Sequence, residues 1–137
     1  MKYIVELIAI IIIIYEFILL KFNLLNFKDR LIIYLALFGQ IMIYFKYFFD
    51  YKIIGMIPHY LFWTVLVLIL LFSKNNYLLI LGIISLFLTF ITRYLLNECL
   101  FYSRYENKDK DITLKTTLAN VILLILTIFK FIYLNYI

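Results

Sequence analysis

YIVELIAIIIIIYEFILL, residues 3–20, is apolar throughout except for Glu6 and Glu16. Isoleucine dominates it, and in water β-branched residues favour strands. Yet no alternation of polar and apolar residues runs through the stretch, so it offers no half-buried strand face. Inside lipid a segment must satisfy its own backbone polar groups, which a helix does alone and a strand does only in a closed barrel. The stretch is therefore read as a membrane-embedded α-helix. A lysine ahead of an isoleucine run is also how a secretory signal begins. Here Glu6 and Glu16 interrupt the run and no small-residue cleavage pattern follows, so the helix is expected to be retained.

The same character extends over the whole chain. Its 137 residues are 67% hydrophobic and 20% aromatic, with a mean hydropathy of +1.07, three glycines and one proline. So little polar surface does not suit a water-soluble domain, and the expected class is an all-α polytopic integral membrane protein. Each span needs roughly 20 apolar residues to cross about 30 Å of hydrocarbon. About five transmembrane helices fit, near 3–20, 31–49, 56–72, 77–96 and 117–136, forming one domain over 1–137. KFNLLNFKDR (21–30), the turn from Asp50 to Lys52 and SKNN (73–76) are the connectors. Pro58 suits the first turn of the third helix, with Gly55 in the connector before it, and an earlier start at Ile53 is the alternative. In the fourth, Gly82, Ser85 and Thr89 are small enough to admit a close neighbour, although Gly82 and Ser85 do not make a GxxxG pair.

The one long polar break is TRYLLNECLFYSRYENKDKDITLK, residues 92–115, which holds nine of the 21 charged residues and the only cysteine. It is expected to form a polar loop over 97–116, with Arg93, Glu98, Arg104 and Tyr105 as candidates for contact with a partner subunit. Threaded as five spans, the face holding this loop carries Lys2, Lys46, Lys52, Arg93, Arg104, Lys108, Lys110 and Lys115. The other face carries Lys21, Lys28, Arg30, Lys74 and Lys130. That excess places the N-terminus and the loop on the cytoplasmic or matrix side. The net charge of +5 is spread over connectors and helix ends. It reads as membrane anchoring, and no nucleic-acid partner is expected.

Ionisable residues inside the spans are the strongest pointers, since a charge at the bilayer centre costs roughly 2.5–3.5 kcal/mol on insertion scales. Glu6 and Lys46 fall about 5 Å from the inner face, and Glu16 and Lys130 about 20 Å from it, at 1.5 Å per helical residue. Two ion pairs are therefore expected: Glu6 with Lys46, tying the first helix to the second, and Glu16 with Lys130, tying the first to the fifth. The alternative sends Lys130 toward the outer face and leaves Glu16 protonated or hydrogen-bonded. Gln40 is the clearly polar residue near a midplane.

Chemistry-bearing patterns are sparse. His59, the only histidine, follows Pro58 and is expected at headgroup level rather than as a haem ligand. Cys99 beside Glu98 lacks the base and orienting partner that nucleophilic catalysis needs. No TVGYG-like filter, glycine-rich phosphate loop, HExxH or paired DxD occurs, so no enzyme activity, metal or cofactor is expected.

Phe, Tyr, Met, Ile, Asn and Lys supply 74 residues, whereas Gly, Ala, Arg and Pro supply 10. In this bias toward AT-rich codons the chain resembles the small hydrophobic respiratory-complex subunits encoded in protist mitochondria. The resemblance implies a structural or accessory subunit of an inner-membrane respiratory or ATP-synthase complex, with lipid and other membrane subunits as partners. It carries no functional residue, because no motif carries it. The competing expectation is a self-contained viral or organellar membrane protein that forms an ion or solute pathway.

Overall fold

The structure is a computed structural model that describes the backbone of residues 2–22, 25–45, 52–96 and 110–137. Among these residues the fold is all-α: α1 (Lys2–Lys21), α2 (Phe27–Phe45), α3 (Lys52–Phe72), α4 (Asn76–Leu96) and α5 (Lys110–Tyr136).

Three boundaries depart from the sequence reading, each for a local reason. Residues 27–30, expected in a connector, belong to α2. Asn26 caps that helix, its side-chain oxygen accepting from the Asp29 amide at 2.9 Å, while the Arg30 amide donates to the Asn26 carbonyl at 3.0 Å. Asp29 in the first turn also suits the positive end of the helix dipole. Next, α3 begins at Lys52, so Pro58 lies inside the helix rather than in its first turn. Lacking an N–H, it leaves the Ile54 carbonyl without its helical donor. Finally, 110–116 extend α5 rather than the polar loop. Of SKNN, residues 73–75 form the expected connector and Asn76 already belongs to α4: Ser73 Oγ accepts from the Asn75 amide at 3.1 Å, and Asn75 Oδ1 caps α4 through the Tyr77 amide at 2.9 Å.

The expectation of about five transmembrane helices is met only in its coarser part. Among the described residues one segment, Thr117–Tyr136, is long and apolar enough to cross a membrane, with a mean hydropathy of 2.1. The apolar stretches Tyr60–Phe72 and Asn76–Ile91 fall short of the roughly 20 residues a crossing needs.

The helices run alternately up and down. At one end of the bundle the C-terminal turns of α1, α3 and α5 meet the N-terminal turns of α2 and α4. There Asn76 and Asn135 exchange side-chain hydrogen bonds at 2.6 and 3.0 Å, and the Tyr15 hydroxyl donates to the Tyr77 carbonyl at 3.2 Å. α3 packs on α2, α4 and α5, while α1 packs on α2 and α4. Their shared core is aliphatic, built on Leu19, Ile33, Ile69, Leu78 and Leu79, with a second cluster of Leu66, Leu86 and Leu123 toward α5. Thr89 and Thr127 are buried but satisfied, each hydroxyl donating to the carbonyl one turn back, at 2.7 and 2.6 Å.

Gly82 is in ordinary contact with α3 and α5, but of the two glycines described it is Gly39 that has the tighter neighbour. A Cβ added at Gly39 would sit 3.1 Å from Leu61 Cβ, whereas one at Gly82 would meet nothing nearer than 3.7 Å. Leu61 Cβ is fixed to its backbone, so α2 and α3 would have to separate. Gly39→Ala is expected to destabilise by about 1 kcal/mol, overpacking outweighing the gain in helix propensity. Gly82→Ala, with ordinary contacts, is expected to stabilise by roughly 0.5–1 kcal/mol. Thermal melts of the two purified variants check the opposite signs.

Candidate functional site

On α1, Ala9, Ile12, Glu16 and Leu19 recur at three- and four-residue intervals and are all buried. On α2, Ile33, Leu37 and Gln40 do the same. The helix period thus carries one carboxyl and one amide into the apolar seam where α1 meets α2. Glu16 is 1% exposed and Gln40 6%, and Gln40 Nε2 donates to Glu16 Oε1 at 2.9 Å. The second oxygen of each, Glu16 Oε2 and Gln40 Oε1, is buried with no hydrogen-bond partner.

Both residues line a cavity of about 30 Å³ at the meeting of α1, α2, α3 and α4. Its lining includes Ala36 and Gly39 from α2 and Gly82 from α4, with Pro58 and Leu61 of α3. The buried Ser85 adds a hydroxyl to the same lining. The space suffices for a water-sized occupant. Its polar lining is oxygen-rich and electron-donating, so it favours a hydrogen-bond donor or a small cation. Among the described residues no group of three or more His, Cys, Asp or Glu could hold a metal ion together.

Glu16 and Lys130, expected to pair, each have another partner. Glu16 is held by Gln40. Lys130 Nζ donates to the Leu70 carbonyl and, at 3.5 Å, to the Ile69 carbonyl. These carbonyls belong to the last turn of α3, where backbone acceptors are left over and the helix dipole is negative, so an ammonium group fits both needs. Depth arithmetic puts Glu16 and Lys130 at one level but is blind to direction around the helix axis.

Glu6 lies on α1 and Arg93 near the end of α4, with side chains outside the described residues; so is that of His59 on α3. Lys46, Glu98, Cys99, Arg104 and Tyr105 are themselves outside the described residues, and with them the Glu6–Lys46 pair and most of the expected partner-contact loop. What the sequence reading misses is the pairing of Gln40. Its signal is available: Glu16 and Gln40 interrupt apolar runs on consecutive helices joined by a short connector, and such helices pack side by side. No family model, curated protein or solved structure matches the chain.

Proposed function

We propose that the chain is a structural or accessory helical subunit of a larger membrane complex. The observation that carries this reading is the outer surface of α5. Leu118, Ile122, Ile125, Phe129 and Tyr133 recur at helical spacing along it and are all exposed, Phe129 at 67%. Exposed apolar stripes of that length mark contact with lipid or with another protein. α1 presents a second such face through Leu7, Ile11, Ile14 and Phe17. Of the buried polar side chains, Glu16 and Gln40 bond to each other and Thr89 and Thr127 to their own helices, and nothing in the described residues forms a catalytic constellation.

In its finer form the proposal has α5 crossing the bilayer with the other four helices crossing beside it, and the loop before α5 on the matrix or cytoplasmic side. The compositional resemblance directs the search for the assembly toward mitochondrial respiratory and ATP-synthase complexes. Extraction in a mild detergent followed by native electrophoresis tests the reading. The chain is expected to migrate with a large membrane assembly and to stay in the membrane at alkaline pH. Recovery as a monomer or small homo-oligomer overturns the subunit reading. The second reading, a self-contained ion pathway, is favoured by one observation, the oxygen-lined cavity at Glu16 and Gln40.

A further inference from the structure

The buried oxygens at the centre of the bundle need an explanation that packing does not supply. Glu16 and Gln40 are each more than nine-tenths buried, and each keeps an oxygen without a donor. The cationic side chain that would balance Glu16, Lys130, is bonded to the end of α3 instead. Beside these oxygens lies unfilled space, otherwise lined by apolar side chains that include Leu61, Leu66 and Leu81.

We propose that this cavity binds one small monovalent cation, of the size of Na⁺, through Glu16 Oε2, Gln40 Oε1 and the Ser85 hydroxyl. Three properties select that ligand. Oxygen donors without nitrogen or sulfur suit hard cations rather than transition metals. A single carboxylate neutralises a single charge; a divalent ion would leave net charge in a pocket walled by Phe62, Val65 and Leu66. A cavity of about 30 Å³ beside these oxygens has room for an occupant of the size of a small ion. Gln40 has a positioning part as well: its amide N–H holds Glu16 Oε1 and so fixes the carboxyl group, leaving Oε2 without a protein donor. The site is contained within one chain, so it stands or falls apart from the assembly proposed above.

The test uses the full chain in detergent and dicyclohexylcarbodiimide, an apolar reagent that adds to buried protonated carboxyls without a leaving group. Mass spectrometry follows the rate at which Glu16 is modified. Added NaCl is expected to slow the reaction at least several-fold, with equal concentrations of choline chloride or MgCl₂ having little effect. In S85A the reagent should still label Glu16, but a higher Na⁺ concentration should be needed for protection. E16Q should remove the label while the helical circular dichroism persists. If Na⁺ and choline protect equally, or neither does while Glu16 is labelled, the cavity holds water only and the proposal is wrong. The same follows if Glu16 resists the reagent in every salt and ²²Na⁺ fails to bind the purified chain.

Discussion

Gln40→Leu is expected to be among the most damaging single substitutions in the bundle, lowering stability by about 2–3 kcal/mol, because it strands a buried carboxyl. Leucine matches glutamine in volume, so the loss does not come from a cavity. Glu16 Oε1 loses its donor, the Gln40 amide at 2.9 Å, and Oε2 already has none, while the side chain stays 1% exposed. Glu16→Leu alone should cost a similar amount, since the amide of Gln40 is then the stranded group. Changing both to leucine removes every polar atom of the pair and should recover most of the stability, or exceed it. A double-mutant cycle from thermal or denaturant unfolding in detergent provides the readout. Additive losses in the double variant would show that the two side chains do not depend on each other, and the hydrogen bond would then not be the linchpin of the α1–α2 seam.

The helices themselves are legible in the sequence because apolar runs broken by Asp, Lys and Asn clusters leave few alternatives. Their ends are less so. Asn26 reads as part of a polar connector but is a cap, and the turn chemistry of one asparagine moves the start of α2 back to Phe27. The site is half legible for a different reason. Charge is visible in a sequence, so Glu16 is matched to the one cation at its depth. A neutral amide such as Gln40 announces no partner. Nor does a backbone carbonyl, which is what Lys130 finds. Close packing is legible only in part. Gly82, Ser85 and Thr89 form a visible group of small residues, and Gly82 is in ordinary contact with α3 and α5, yet of the two glycines described the tighter neighbour is at the isolated Gly39, because what matters is the Leu61 facing it on α3. For the outer surface the sequence is silent in principle: Phe129 is equally at ease against a lipid chain or another helix, since both are apolar.

Lys130→Met is expected to cost about 2 kcal/mol, and the way that cost combines with changes at Glu16 separates two pictures of the bundle. In the structure Lys130 Nζ reaches across from α5 to the carbonyls of Ile69 and Leu70. Methionine keeps the apolar stem but removes the donor. The Ile69 carbonyl retains the Ser73 amide at 3.2 Å, whereas Leu70 loses the bond from Lys130. The damage should therefore be local: amide exchange at the end of α3 should quicken while the exchange of α1 stays as it was. Glu16 belongs to another network, bonded to Gln40 in the seam of α1 and α2. Glu16→Gln and Lys130→Met should accordingly add, within about 0.5 kcal/mol, as substitutions without a shared partner do. An ion pair between them would behave otherwise. Lys130→Met would then cost much more with Glu16 present than in the Glu16→Gln background, because only in the first case is a buried charge abandoned. A coupling of that kind would put Lys130 against α1, and it would leave the C-terminal carbonyls of α3 in need of a different donor.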